Sequence, residues 1–262
     1  MGYNYSELKD TSIMIKWIVT AVSLFLIHPY SVYAQNNNVQ TGSFTLNGSL
    51  NSILGEEAAK SFVELIDPNT QITWEIDVPE DYDPTTPPGV MVYVSPQNII
   101  NIPNGWLDVT RNRNLIFIGA RESGNDILVK KRIVMSIMAL PLIQALYNID
   151  TNRIYISGFS GGGRIASMVS TKYPHIFDGA LYNCGVNFWE DVNDDQLNLI
   201  KRHNYVFLTG TEDFNLQDTK NVYAKYKKAG VKNIKLIVIP RMKHANPNKS
   251  RFEKAIEYLD AR

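Results

Sequence analysis

The chain has 262 residues, sets 26 lysines and arginines against 26 aspartates and glutamates, and contains one cysteine. A neutral chain lacks the concentrated basic face that phosphate binding needs, so nucleic acid is not an expected partner, and a single cysteine excludes an internal disulfide. No Cys/His cluster has zinc-site spacing, and a composition 44% hydrophobic and 20% charged excludes a disordered chain and suits one α/β domain or two small ones.

Lys16 and Trp17 precede a short apolar run at 18–27, then a more polar stretch ending Val32-Tyr33-Ala34. Small or β-branched residues occupy the two positions that a signal peptidase reads, so residues 1–34 are expected to be a secretory signal cleaved after Ala34. The apolar run is about half of the ~20 residues that a spanning helix needs, which makes a retained anchor the lesser alternative. Glu7 and Asp10 are out of place in a positively charged leader, and Met14 is the expected start of translation. The signal carries Lys9 and Lys16 against Glu7 and Asp10, so cleavage leaves the charge balance unchanged. The product is expected to be secreted or periplasmic. Residues 35–70 read as a leader or edge segment, with Asn, Ser, Thr and Gly prominent up to about Ile53, and 71–262 as the main folded domain.

Beyond residue 70, short β-branched and aromatic runs alternate with longer amphipathic stretches, the pattern of a mostly parallel sheet flanked by helices. Strands are expected at 72–78, 90–95, 115–119, 153–157, 179–184, 205–209 and 234–239, and helices at 127–147, 162–173, 194–203, 217–229 and 249–259. In the first strand Ile72, Trp74, Ile76 and Val78 alternate with Thr73, Glu75 and Asp77, which predicts a half-exposed antiparallel edge. Val90 to Val94 is apolar throughout, as a strand covered on both faces should be. The segment 83–89, rich in Pro and Thr, is a turn-rich connection between these two strands.

Residues 153–163 run from a strand through Gly158-Phe159-Ser160-Gly161-Gly162 into a helix. In that context a Gly-x-Ser-x-Gly pentapeptide is a nucleophile elbow: Ser160 sits on a strained turn, and Gly158 and Gly162 stay small so that strand and helix can approach. The Gly161 amide at the helix start then points where an oxyanion would form, aided by the positive end of the helix dipole.

A serine hydroxyl needs a base to take its proton and a third group to orient that base. His28 falls in the signal, His175 in a turn after the elbow helix, and His203 at the end of a helix; only His244 follows the last strand, in a loop at the sheet edge that also holds Ser160. For the acid, Asp213 in Gly210-Thr211-Glu212-Asp213 gives the chain order Ser, Asp, His; Glu212 is the rival and Asp218 a distant third.

These features together resemble an α/β-hydrolase, and more narrowly the secreted esterases grouped with polyhydroxybutyrate depolymerases and feruloyl esterases. The likeness spans about 73–259 and rests on the elbow, on Val78-Pro79-Glu80-Asp81-Tyr82-Asp83-Pro84, on Tyr173-Pro174-His175-Ile176-Phe177-Asp178-Gly179-Ala180, on the Asp213 turn and on Met242-Lys243-His244-Ala245-Asn246-Pro247. It implies a mostly parallel central sheet with helices on both faces and a catalytic triad of Ser160 as nucleophile, His244 as general base then acid, and Asp213 as orienting carboxylate. One departure stands out. These esterases usually carry His-Gly after the strand matching 90–94, where this chain has Ser95-Pro96-Gln97. Proline has no N–H, so the second oxyanion donor would be the Gln97 amide, helped by the Ser95 hydroxyl, with Gly161 as the first.

The interval 185–204 is long enough for a loop and one short helix, so no cap domain is expected, and an open site suits bulky or polymer-linked esters. Phe188 and Trp189 there either line a substrate pocket or simply pack. Arg121, after another strand at the same edge, either binds a substrate carboxylate or pairs with Glu122 or Asp126, the second being favoured. Cys184 reads as a buried structural thiol, and Lys225, Lys227 and Lys228 as a solvated face. No cofactor or metal is implied, and the expected partner is an ester, polymeric esters included. A peptidase of the same fold, or a catalytically silent binding protein on this scaffold, are the competing functions.

Overall fold

Strands that are apolar at every position need cover on both faces, and the computed structural model, which describes residues 39–261, provides it. Eight strands form one sheet: β1 (Gly42–Gly48), β2 (Ile72–Val78), β3 (Gly89–Val94), β4 (Leu115–Ala120), β5 (Ile154–Phe159), β6 (Gly179–Asn183), β7 (Asn204–Gly210) and β8 (Ile234–Ile239). Their order is β1-β2-β4-β3-β5-β6-β7-β8. Pairing is parallel from β4 onward and antiparallel where β2 joins β1 and β4.

Successive side chains of each central strand divide between two cores, as the two-residue period requires. Val90, Val92, Val94, Ile156 and Tyr182 join one; Met91, Tyr93, Tyr155 and Leu181 join the other. The first core is closed by α4 (Val129–Leu146), α5 (Gly161–Lys172) and α7 (Leu216–Lys228), with α6 (Asp194–Ile200) at its margin. The second is closed by α3 (Trp106–Asn112) and α8 (Lys249–Asp260). The middle of α4 is buried on every side, from Arg132 to Ile143, which is why it reads as apolar all round rather than as a striped surface helix. Among the described residues no helix is long and apolar enough to cross a membrane.

Each expected strand and helix is present, with ends shifted by a few residues. Three differences have physical causes. The stretch read as a leader or edge strand contains β1, which takes the sheet edge, and the short helices α1 (Leu50–Leu54) and α2 (Glu56–Ala59) with a 3-10 turn (Lys60–Phe62), whose Leu50 and Phe62 are fully buried. The strand expected at the edge, β2, is therefore interior, paired on both sides. Its Asp77, assigned by alternation to the open side, is buried because Arg111 of α3 grips it through Nε (2.9 Å) and NH2 (2.5 Å) and Ser43 of β1 adds a hydroxyl. The third difference is α3 itself, which the sequence pattern did not announce. The signal segment assigned to 1–34 lies outside the described residues.

Candidate active site

Strand register sets five carboxyl ends side by side. Val94 pairs with Gly158, Phe159 with Asn183, Asn183 with Leu208, and Gly210 with Ile239, so the loops after β3, β5, β6, β7 and β8 open on one edge. Ser160 lies at its centre, between the last residue of β5 and the first of α5. Its φ of 55° and ψ of −119° are a conformation that L side chains rarely adopt and that costs about 1–3 kcal/mol. Two contacts hold it there: the Ser160 N–H donates to the Asn183 carbonyl (2.8 Å), and α5 lies directly on the strands. A Cβ on Gly158 would collide with the Gly162 backbone, and one on Gly162 with the Val94 carbonyl, so both elbow glycines are required by close approach.

The structure brings Ser160, His244 and Asp213 into line. His244 Nδ1 is 2.8 Å from Asp213 Oδ1, and His244 Nε2 is 2.8 Å from Ser160 Oγ. With Nδ1–H donating to the carboxylate, Nε2 is left to accept the serine proton. Asp213 is buried, and burial alone would raise its pKa. The Asn215 N–H (3.0 Å), the Cys184 thiol, the Thr209 hydroxyl (2.7 Å) and His244 outweigh that and hold it below the ordinary carboxylate value. The Glu212 side chain is exposed, and only its backbone N–H is engaged, donating to the Met242 carbonyl; Asp218 is exposed and 3.9 Å from Arg164. His175 and His203 stand just before the N-terminal ends of β6 and β7, at the edge of the sheet opposite Ser160, and desolvation lowers the pKa of both, His203 to about 4.

The loop carrying His244 is fastened at several points. The Arg241 N–H donates to Thr211 Oγ1 (2.7 Å), Asn183 Nδ2 to Asn246 Oδ1 (2.7 Å), and Trp106 Nε1 to the Pro247 carbonyl (3.0 Å). Trp106 is itself stacked on Phe252 at 3.9 Å, so the unforeseen helix α3 serves the site as an anchor. Cys184 is buried as expected; its Sγ lies 3.4 Å from the Ala245 carbonyl oxygen and beside Asp213, and burial together with Asp213 pushes its pKa up, which makes it a poor nucleophile. Two rings flank the imidazole: Phe159 at 4.9 Å and Phe214 at 4.1 Å, the latter nearly parallel and 77% exposed. Neither was singled out by sequence, because apolar residues beside an elbow or a turn ordinarily read as packing.

The oxyanion side differs from expectation. As the first residue of α5, Gly161 has an N–H with no acceptor inside the helix. The Gln97 N–H, assigned as the second donor, instead donates to Ser95 Oγ (3.0 Å), and Ser95 Oγ donates to the Ile99 carbonyl (2.8 Å). A Ser-x-x turn has thus captured both residues expected to face the oxyanion. Buried Arg132 braces the loop, donating to the Ser95 carbonyl (3.0 Å) and to Asn125 Oδ1 (3.3 Å). The Asn125 carboxamide fills the space where a Cβ on Gly161 would lie, which explains glycine at that position.

The remaining candidates have partners within the fold. Arg121 Nε donates to Glu75 Oε1 (2.8 Å), a partner on β2 rather than Glu122 or Asp126. Phe188 and Trp189 stack on each other at 4.1 Å and pack on buried Tyr226, with Lys225 Nζ over the Phe188 ring, so both take part in packing against α7. A cavity of about 350 Å³ between β1, β2 and α3 is not lined by Ser160, Asp213 or His244.

No protein-family model matches the sequence, and no curated protein matches it. Solved structures do. A ferulic acid esterase superposes with a TM-score of 0.59 at 14% identity, over 83% of this chain and 98% of that one. The S-formylglutathione hydrolase of Staphylococcus aureus gives 0.57 at 12%, over 85% and 99%. The dipeptidyl peptidase 4 of Porphyromonas gingivalis gives 0.55 at 17%, over 72% and 33%. This is the α/β-hydrolase fold. In this α/β-hydrolase-fold chain the interval between β6 and β7 holds only a loop and the short helix α6, and the chain spans about a third of the length of the peptidase it resembles.

Proposed function

We propose that this protein is a secreted serine hydrolase that cleaves carboxylic esters through an acyl-enzyme. One observation carries the reading: Ser160, His244 and Asp213 form a continuous hydrogen-bonded line with the serine on a strained strand-to-helix elbow. As Ser160 Oγ attacks the ester carbonyl, its proton passes to His244 Nε2, the new C–O bond forms, and the carbonyl π pair moves onto oxygen. Collapse expels the alcohol, which takes the proton from the imidazolium. Water then repeats the sequence on the acyl-serine and releases the acid. Asp213, kept ionised, holds Nδ1–H and stabilises the imidazolium.

The Gly161 N–H is the first oxyanion donor in this mechanism, and the Gln97 N–H becomes the second by exchanging Ser95 Oγ for the developing oxyanion. That exchange is a cost that an open amide would not bear, so a modest turnover is expected. The absence of a cap between β6 and β7 favours bulky or polymer-linked esters. Likeness to a dipeptidyl peptidase keeps peptide bonds as the second substrate class.

A panel of p-nitrophenyl esters of rising chain length, feruloyl esters, polyester film and dipeptide anilides, each run beside Ser160→Ala, tests the reading. Ester hydrolysis lost in the variant supports it. Hydrolysis confined to the anilides would replace the esterase with a peptidase, and no Ser160-dependent turnover of any substrate would overturn the hydrolase.

A further inference from the structure

His244 is paired with Asp213 on one nitrogen and Ser160 on the other, yet its ring face is covered by a residue with no evident structural purpose. Phe214 is 77% exposed, so its ring contributes little to the core. Exposure of a single apolar side chain is ordinary; what distinguishes Phe214 is its contact with the imidazole, at 4.1 Å and 28° from parallel. Phe159 approaches the same imidazole at 4.9 Å and 36°.

We infer that Phe214 is a positioning residue that stabilises the protonated form of His244 by placing the negative face of its ring against the imidazolium. The inference rests on the triad reading above and adds a component to it. A cation over an aromatic face within about 6 Å is attracted by the ring quadrupole, whereas a neutral imidazole gains much less. At pH values above the histidine pKa the imidazolium forms only as the serine proton moves, in acylation and again in deacylation. The stabilisation therefore falls on the transition states rather than on the resting enzyme, which is how a contact raises turnover.

The sign of the effect separates this role from simple shielding. The other groups around the imidazole are Asp213 from the turn after β7, the Cys184 thiol from the end of β6, and the Ser160 hydroxyl from the elbow. Lys243 beside it and Glu212 beside Asp213 are exposed. None of these changes when Phe214 is replaced. A ring that acts by excluding water disfavours the imidazolium, and its removal raises the histidine pKa. A ring that acts through its π face favours the imidazolium, and its removal lowers that pKa.

The experiment is an NMR titration of the His244 imidazole in wild type, Phe214→Leu and Phe214→Tyr, followed by pH profiles of kcat/KM for p-nitrophenyl acetate. Leucine keeps the apolar cover and loses the π face; tyrosine keeps both. The expected result is a fall of about 0.4–0.7 pH units in the histidine pKa of the leucine variant, with the acid limb moving the same way. The plateau kcat/KM should drop about 2- to 5-fold in leucine and stay near wild type in tyrosine. An unchanged or raised pKa in Phe214→Leu overturns the inference, as does a change confined to KM. The NMR titration reads the ring contact whether or not the protein turns over ester. If Ser160→Ala retained wild-type hydrolysis, the triad reading would fail separately.

Discussion

Around His244, on the β7–β8 side of the site, the groups surrounding the reacting atoms point inward. Asp213 takes hydrogen bonds from Thr209, Asn215 and His244, the loop carrying His244 is tied to Thr211, Asn183 and Trp106, and Ser160 lies in line with Nε2. On the β3–β4 side the same density of hydrogen bonds is turned on the loop itself: Gln97 to Ser95, Ser95 to Ile99, and Arg132 to the Ser95 carbonyl. On the proposed mechanism, one region is organised for proton transfer in its resting state, while the other would have to release an internal hydrogen bond to receive charge. Pre-aimed donors cost no reorganisation at the moment of reaction, so that mechanism puts its weak point in the loop after β3.

Breaking the organised side has the largest expected effect. Asp213→Asn should lower kcat about 10⁴-fold while leaving the fold intact, because the amide favours the wrong imidazole tautomer. It should also change acid stability in a defined direction. The native pKa of Asp213 is below its unfolded value, so its ionised form contributes stability that is full above the unfolded pKa and fades as pH falls through the native one. The stability difference between wild type and Asp213→Asn, measured by urea unfolding, should therefore narrow on acidification from neutral pH. A difference that widens would contradict the assignment.

The oxyanion side predicts a smaller loss. Gln97→Pro removes the amide, and if that N–H leaves Ser95 to meet the oxyanion, kcat should fall about 10²-fold with KM little changed. An unaltered kcat would mean that the amide stays on Ser95 throughout and that the site works with the Gly161 donor and another group. The smallest effect is expected outside both regions. Arg121→Ala removes an ion pair with Glu75 whose partners are substantially exposed, so stability should change by no more than about 1 kcal/mol and kcat/KM for neutral esters should not change. A large loss there would restore Arg121 as a substrate contact.

The organised half was legible in the sequence because its signals are local. A strand running into Gly158-Phe159-Ser160-Gly161-Gly162, a carboxylate after the next-to-last strand and a histidine after the last each sit where chain order and sheet direction bring them to one edge. The other half depends on contacts that composition and periodicity do not encode. Gln97 was assigned by its position after the strand, and the competing local pattern is a serine two residues earlier, whose hydroxyl accepts its N–H in a tight turn. Arg132 sits inside an apolar helix and is recognisable as a brace only once β3 and β4 are placed beside it. The helix α3 is seven residues long and is preceded at its N-cap by Gly105, which has a φ of 79° and no side chain to cap with, so it lacked both the length and the start signal that mark a helix. Asp77 looked exposed by alternation because its counter-ion, Arg111, is carried by that same unannounced helix. Phe214 was passed over because a sequence cannot distinguish a buried phenylalanine from one held in solvent against a histidine.

The central claim, that Ser160 is a nucleophile activated by His244, is tested most directly by reacting the folded protein with a fluorophosphonate and mapping the adduct by peptide mass spectrometry. The predicted result is one stoichiometric adduct on Ser160, absent in Ser160→Ala and strongly slowed in His244→Ala. A folded wild type that stays unmodified, or an adduct on any other residue, would contradict it.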